Sequence, residues 1–486
     1  MTSSTNTPNN QSISNFREGG RRSVLIAFCL GVAIITIAII LGRSFVFPIF
    51  FLSLSIIITL LWRKADRPWV SLVSMSAASP LSIGRQQFNC NLVFALWSLF
   101  FTPRYLFRLP KWIYLPSCLA ILGAITSMGN WMSDDLIGNM LTQGAFLYNF
   151  FIGPFLLLPV IYLRMKESRN HEANLQGLLF FLIIPSTLIL ISAKLFGTVA
   201  NWWKASQHVL SLSEGFLMYK LGNAYINFLR TEVGFILAAL ICASTAIAIS
   251  QVKGQYRWLA GGCLVMNVFL LLSTASFGSG IACFLGLVVI FQSQIHKIGF
   301  GKVFTSMIII LMTMVLSYAL APSSTKTYLE KRFEHRVTNT DTDRFVLWQG
   351  GVVAFLEHPE GVGLTLKGAG DRFIHNDYIV YAVSYGFFGG LGYAILIVGL
   401  LLSFLKVRKK LSKDPAALAV YLAGIGVLVA LAANSITDHS NENRWYFNVI
   451  WSIIWYCYFC SFPEEKKKSA PVPLSERGSL ESPRSN

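Results

Sequence analysis

The sequence predicts an all-α polytopic membrane protein with about 12–14 transmembrane helices and a large extracytoplasmic loop that contains short helices. Hydrophobic residues make up 54% of the 486 residues and charged residues only 13%, whereas soluble domains are about one quarter charged. Apolar runs of roughly 17 to 20 residues, long enough to cross a bilayer as a helix, recur along the chain. The composition excludes a disordered chain, a coiled coil and an ordinary soluble enzyme.

The apolar runs define the predicted membrane spans, and their interiors contain no Asp, Glu, Lys, Arg or His. Backbone groups inside a bilayer cannot bind water, so helices are the expected form of each span. The stretch 68–102 is compatible with two weak spans, near 69–84 and 88–102, or with one re-entrant pair. The remaining predicted spans are 23–41, 45–62, 112–129, 145–163, 174–193, 232–250, 258–275, 279–293, 303–321, 386–405, 415–434 and 444–462.

Basic residues occur in alternate loops, and this alternation predicts the orientation of the chain. The N-terminal arm carries Arg17, Arg21 and Arg22. If it is cytoplasmic, the same side of the membrane holds most of the 40 Lys and Arg residues. The alternation requires 68–102 to cross twice, which favours about 14 crossings over 12 and leaves both termini cytoplasmic. The other basic segments on that side are 63–67, 104–111, 164–169, 253–257, 297–302, 406–413 and the C-terminal tail.

Loop lengths predict how the chain is divided. The polar segments 1–22 and 463–486 are expected to be a disordered cytoplasmic arm and tail. Between them we expect a transmembrane bundle at 23–321 with a smaller external loop at 194–231, a large external catalytic loop at 322–385, and C-terminal transmembrane helices at 386–462. Long loops on a protein with otherwise short connections usually carry function.

The net charge of +17 first suggests an anionic partner such as a nucleic acid. Most of that charge lies in the predicted cytoplasmic segments, however, and acidic and basic residues nearly balance in the large external loop. No general basic field is therefore expected there, and nucleic acid is not an expected partner. The eight cysteines lie in or beside apolar runs, which predicts buried thiols and no disulfide framework.

Within the large loop, residues 343–357 form the first informative segment. Phe345, Trp348, Val352 and Phe355 recur at helical spacing, which predicts an amphipathic helix lying on the membrane. Arg344 is four residues before Trp348 and shares a face with it.

The second informative segment follows at 359–390. Pro359 and the glycines after it predict a turn, and Asn376 or Asp377 is suited to cap a helix that leads into the next span. His375 would then lie at the start of that helix, close to the bilayer surface. An imidazole there can accept a proton from a hydroxyl group.

The order of these motifs resembles the O-antigen ligase/polymerase superfamily of bacterial inner-membrane glycosyltransferases. The family pattern reads roughly R-x3-W, then hP-x-G-x-G, then H-N, then G-hh-G leading into a span. The signature covers residues 344–389, and the topology is similar over most of the chain. The matching residues are Arg344, Trp348, His358, Pro359, Gly361, Gly363, His375, Asn376, Gly386 and Gly389.

This resemblance implies a metal-independent, inverting reaction without a cofactor at the periplasmic face of the bacterial inner membrane. A glycan on undecaprenyl diphosphate would be the donor, and a lipid-linked or glycan acceptor, such as lipid A-core, would supply the hydroxyl. By the resemblance, His375 is the base on that hydroxyl and Arg344 binds the diphosphate. No tightly spaced Cys, His and carboxylate cluster suggests a metal site.

Guanidinium groups stabilise a departing diphosphate through bidentate hydrogen bonds, so arginines near the external face are the natural candidates. Arg344, Arg372 and Arg230 are the diphosphate-binding candidates. For each there is an ordinary structural alternative. His375 could be a capping or structural residue, Arg344 could pair with Asp341 or Asp343, and the other two arginines could lie on the surface.

One position departs from the family. Many members carry Ser-Arg-Gly in a short external turn, whereas the corresponding turn here reads Ser276-Phe277-Gly278. Either Arg230 or another residue replaces the missing arginine, or the donor is held differently.

Three functions stay open at this point. A ligase-type transferase is the first choice, because the smaller loop has only Arg230 at its edge and some polymerases have arginine-rich motifs in both loops. A polysaccharide polymerase is the alternative. A transporter of lipid-linked glycans is the alternative from another class, disfavoured because transporters usually carry ionisable residues inside their spans.

Overall fold

The structure is a computed structural model of the chain, and it describes the larger part of the sequence after residue 80. The predicted spans 23–41 and 45–62, the two terminal segments and Arg372 lie outside the described residues. The described residues are 81–83, 86–88, 107–131, 155–156, 158–166, 171–184, 186–188, 190–191, 217–221, 224–228, 230–274, 276–298, 300–320, 326–327, 330, 334, 342–363, 374–408, 411, 414–437 and 444–461.

Helices dominate this part of the chain. The helix His171–Gly177 continues directly into a wider π-helical turn, Leu178–Ile183. In chain order the elements are β1 (Leu81–Ile83), β2 (Gln86–Phe88), α1 (Lys111–Trp131), α2 (Leu158–Lys166), α3 (His171–Gly177), β3 (Leu217–Leu221), β4 (Ala224–Phe228), α4 (Arg230–Ile249), α5 (Gly254–Thr274), α6 (Phe277–Ile298), α7 (Phe300–Leu320), α8 (Thr342–Glu357), α9 (Asp377–Val407), α10 (Pro415–Thr437) and α11 (Arg444–Ser461).

Five of the described helices, α1, α5, α6, α9 and α10, are long and apolar enough to cross a membrane. Many of their apolar side chains are uncovered, as are those of α7, where Leu311 and Met312 are 59% and 60% exposed. Rows of uncovered apolar side chains on adjoining helices suit a lipid environment rather than water. The described part is therefore a membrane-embedded helical protein. The helix predicted at 343–357 is confirmed as α8.

A small antiparallel sheet adds an element that the all-α prediction did not contain. Its strand order is β2-β1-β4-β3, and Ser82 lies opposite Tyr225 in the pairing of β1 with β4. β1 and β2 occupy the adjoining ends of the weak spans predicted near 69–84 and 88–102, and β3 and β4 lie in the predicted loop 194–231. Two residues separate the strands of each hairpin, Gly84-Arg85 and Gly222-Asn223, and such glycine-containing pairs are a hairpin signal.

Small residues bring α1 and α9 together as antiparallel neighbours. A Cβ atom on Gly123 would lie 2.5 Å from the carbonyl oxygen of Tyr385, and one on Gly399 would lie 2.7 Å from the ring of Trp112. The later residue of α1 thus meets the earlier residue of α9, so the two helices run in opposite directions. Close backbone approach at glycine is the usual way in which membrane helices gain packing energy.

The helices α4, α6 and α10 pack in the same manner. A Cβ atom on Gly286 of α6 would lie 2.6 Å from Cys242 Sγ of α4 and 2.7 Å from the Gly426 carbonyl oxygen of α10. Cys242 Sγ itself donates to the Cys283 carbonyl oxygen at 3.7 Å. α10 is therefore held in the centre of the bundle, and it presents its last turn beside the first turn of α6.

Candidate functional site

His375 lies two residues before α9 and has an unusual backbone. Its φ angle is +49°, and it is the one residue other than glycine with a positive φ among those the structure describes. Its side chain is half-buried. A non-glycine residue in the left-handed region costs roughly 1–3 kcal/mol and persists only where the surroundings fix it, which is commonest at functional sites.

The surroundings of His375 do fix it. Asn376 caps α9, because its side-chain oxygen accepts a hydrogen bond of 3.2 Å from the Ile379 N–H. On the other side, Ile374 is fully buried, and Gly351 of α8 packs so closely that a Cβ atom there would lie 2.7 Å from Ile379. The predicted cap is confirmed, and Gly351 of α8 packs against Ile374 and Ile379, one on each side of the His375-Asn376 pair.

The glycines of the family-like pattern have a mechanical role in this structure. α9 is kinked at Tyr385 and Gly386, and the turn at 358–363 docks onto the kink. The Phe387 N–H donates to the Pro359 carbonyl oxygen, and the Val362 N–H donates to the Val383 carbonyl oxygen, both at 2.9 Å. These bonds satisfy backbone groups that the kink removes from the helix ladder.

Glycine is required on both sides of this joint. Gly361 and Gly386 have φ angles of +95° and +64°. A Cβ atom on Gly361 would lie 2.5 Å from the Gly386 nitrogen, and one on Gly386 would lie 2.5 Å from the Pro359 carbonyl oxygen. The pattern hP-x-G-x-G followed by a distant glycine thus encodes a backbone-to-backbone contact.

Arg344 reaches the end of another helix. Its Nη1 donates a hydrogen bond of 2.7 Å to the carbonyl oxygen of Thr437, the last residue of α10. A cation at this position satisfies an otherwise unbonded carbonyl and complements the negative end of the helix dipole. The side chain is half-buried. Arg344 therefore ties α8 to α10 at the end of the bundle that holds His375.

The turn 276–278, where the family pattern expects an arginine, adjoins the Thr437 to which Arg344 is bonded. A Cβ atom on Gly278 would lie 2.8 Å from Thr437 Oγ1. On its other side the turn contacts α4, since a Cβ atom on Gly234 would lie 2.8 Å from Ser276 Cβ and from Ser279 Oγ. The two serine hydroxyls are 2.9 Å apart. Arg344 is thus bonded to Thr437, and Thr437 packs against the turn 276–278. This turn lies more than sixty residues before Arg344 in the sequence.

The other residues of interest lie in different parts of the chain. Arg230 is the first residue of α4 and lies one helical turn before Gly234, which contacts the turn 276–278. The backbone of Arg230 therefore lies on the same side of that turn as Gly234. Arg372 lies outside the described residues. His358 is exposed, and its Nδ1 lies 3.2 Å from Glu360 Oε1.

Sequence reasoning missed a buried polar group at the same end of the bundle. Asn434 of α10 is 2% exposed, and its side-chain oxygen has no hydrogen-bond partner among the described residues. This oxygen would lie 4.0 Å from a Cβ atom on Gly278. A signal was present, because Asn434, Ser435 and Thr437 are polar residues at the end of an apolar run.

A carboxyl group surrounded by tyrosines was also missed. Asp377 is fully buried in the first turn of α9, close to Tyr378, Tyr381 and Tyr393. The rings of Tyr381 and Tyr393 stack at 4.2 Å, and the Tyr393 hydroxyl lies 2.9 Å from Ser435 Oγ. This cluster fixes the start of α9 against α10, directly after His375.

The arrangement combines a half-buried imidazole, a guanidinium and several hydroxyl and amide groups at one end of a helical bundle. Such a set can accept a proton and stabilise an oxyanion or phosphate. Among the described residues, no group of three or more His, Cys, Asp or Glu side chains could hold a metal ion. No protein-family model matches the chain, and a search of curated proteins finds no match.

Proposed function

We propose that the protein is a glycosyltransferase of the bacterial inner membrane that moves a glycan from undecaprenyl diphosphate to an acceptor hydroxyl on the periplasmic side. The resemblance of residues 344–389 supplies the reaction class. His375 serves as the base and Arg344 as the ligand of the diphosphate, and no metal takes part. Arg230 and Arg372 remain further candidates for diphosphate binding.

The observation that carries the proposal is the meeting of Arg344 with the last turn of α10 beside the turn 276–278. The family pattern has an arginine in that turn, where this chain has Phe277. A guanidinium has five N–H donors, so one arginine can hold a helix end and phosphate oxygens together. Arg344 is thus suited to take the place of the missing arginine.

The reaction follows from these roles. His375 accepts the proton of the acceptor hydroxyl, and the oxygen forms a bond to the anomeric carbon as the bond from that carbon to the diphosphate oxygen breaks. The leaving diphosphate gains negative charge, which Arg344 stabilises in a site with little water. The products are the glycan bonded to the acceptor oxygen and undecaprenyl diphosphate, which carries the negative charge.

The sheet supports about 14 crossings with both termini in the cytoplasm. Residues 81–88 and 217–228 pair in one sheet, so both must lie on the same side of the membrane. With 12 crossings the first segment would be cytoplasmic and the second external, so the pairing favours 14 crossings. A phosphatase that is active only in the periplasm should be active when fused after Arg85 and inactive after Arg67, and the reverse result would contradict this topology.

Deleting the gene tests the function and separates ligase from polymerase. Loss of a ligase should leave long polymer on undecaprenyl diphosphate, whereas loss of a polymerase should leave single repeats. The measurement is the chain length of lipid-linked glycan extracted from the deletion strain, with the strain carrying the intact gene as control. Unchanged lipid-linked and surface glycan in the deletion strain would contradict both.

A further inference from the structure

Helix α8 has two apolar faces, of which only one is covered by the part of the chain that the structure describes. Ala354 and Phe355, with Trp348, pack against the buried cluster of Ile374, Val380 and Val383. The sequence pattern grouped Phe345 and Val352 with Trp348 and Phe355 as one stripe. The structure divides this stripe, because Phe345 and Val352 are 70% and 45% exposed, although the Phe345 ring contacts Trp348 edge to face at 5.4 Å.

The second face is a row of uncovered apolar side chains. Their spacing of one, three, four and seven residues places them along one side of the helix. From Phe345 to Leu356 the helix contains no charged residue, although a helix face in water normally does. The exposed members are Phe345 at 70%, Val346 at 58%, Val352 at 45%, Val353 at 41% and Leu356 at 69%.

This face is continuous with the uncovered side of a membrane span. α8 ends at Glu357, and two residues later the Pro359 carbonyl oxygen accepts the N–H of Phe387. Phe387 is 55% exposed and is the first member of a row along α9 that continues through Leu391, Val398, Leu402 and Leu405, which are 37–60% exposed. A span presents such a row to lipid, so the uncovered face of α8 adjoins the lipid-facing side of α9 where that side begins.

We propose that α8 docks into the outer leaflet of the bilayer through Phe345, Val346, Val352, Val353 and Leu356. The occupant of this face is bulk lipid, and neither a second copy of the chain nor a single polyprenyl chain covers it. The opposite side of the same helix holds Arg344 on Thr437 and Gly351 on Ile379. Lipid docking would therefore fix the depth of the His375 segment relative to the membrane.

Photo-crosslinking in native membranes tests this proposal without any activity measurement, so its failure is distinguishable from failure of the proposed reaction. Benzoylphenylalanine replaces Phe345 in one full-length variant and Phe355 in another. Both positions are phenylalanines of one helix, but Phe355 packs on the buried cluster whereas Phe345 is 70% exposed, which makes Phe355 the matched control. Benzoylphenylalanine at Leu356 provides a second exposed position if the Phe345 variant is not produced.

After irradiation the intact protein is purified and its mass is measured. Phospholipid adducts should form several-fold more often at positions 345 and 356 than at 355, where the cross-link should stay within the chain. Equal adduct yields at 345 and 355 would overturn the proposal. A covalent dimer, an adduct with a polyisoprenyl lipid alone, or no adduct at either exposed position would overturn it as well.

Discussion

The two ends of the helical bundle are built from different kinds of residues. The aromatic end, defined by Trp112, Trp455 and Tyr458, is a set of interlocked rings. Trp112 stacks on Trp455 at 6.5 Å, and its Nε1 donates to the Tyr458 hydroxyl at 3.1 Å. Trp455 also contacts Tyr458 edge to face at 5.5 Å, and it is completely buried.

The histidine end, defined by His375, Arg344 and the turn 276–278, combines the buried rings of Tyr381 and Tyr393 with glycine, hydroxyl and amide groups. It also holds a strained backbone at His375 and an Asn434 amide oxygen that has no hydrogen-bond partner among the described residues. Large buried rings contribute stability through the area that they remove from solvent, whereas strain and unsatisfied polar groups reduce it. The aromatic end therefore contributes to the stability of the fold, and the histidine end is where we propose that the substrate binds.

The largest effect on glycan transfer is expected from His375→Ala. Loss of a general base typically lowers the rate by about 10²–10⁴-fold, and the variant should still insert and fold. The measurement is the initial rate of transfer from lipid-linked donor in proteoliposomes. His358→Ala is the control, because His358 is exposed in the docking turn and should keep nearly the full rate. Transfer at the normal rate by the His375 variant would contradict its role as the base.

A smaller effect on transfer is expected from Arg344→Ala, about 10²–10³-fold, typical of losing one donor to a developing anion. Arg257→Ala is the control that distinguishes loss of an anion-binding group from loss of a helix cap. Arg257 Nε donates to the Ala248 carbonyl oxygen near the end of α4, and so resembles Arg344 as a helix-end ligand at the opposite end of the bundle. Both variants should lose similar thermal stability, and only the Arg344 variant should lose transfer. If the Arg344→Ala and Arg257→Ala variants transferred glycan at the same rate, Arg344 would act only as a helix cap.

The smallest effect on transfer, per folded molecule, is expected from Trp455→Ala. Removing a fully buried tryptophan should lower the free energy of unfolding by about 3–5 kcal/mol, seen as a lower melting temperature in detergent. Trp258→Ala is the control, because Trp258 is 83% exposed on α5 and should change stability by less than about 0.5 kcal/mol. If Trp455→Ala slowed transfer without lowering stability, the division between the two ends would be wrong.

Much of the helical architecture could be predicted from local sequence. The span predicted at 415–434 corresponds to α10, and the helix predicted at 343–357 corresponds to α8. Both depend on apolar spacing within a short window, which the sequence contains directly. The cap at Asn376 depends on the next three residues, so it was equally accessible.

The sheet was harder to predict, because its strands have only three to five residues. β1 pairs with β4 across more than 130 residues of chain, and no local pattern encodes that pairing. The tyrosine cluster around Asp377 was missed for a related reason. Its contact with Ser435 joins two helices, and helix rotation decides which side chains meet.

The sequence by itself determined that this is a helical membrane protein and which residues carry its family-like pattern, because hydropathy and motif order are properties of neighbouring residues. The tertiary structure alone decided that Arg344 ends on Thr437, that Gly361 meets Gly386, and that α8 leaves a second apolar face uncovered. Those outcomes depend on how distant helices rotate and approach one another, and close packing rather than composition selects that arrangement.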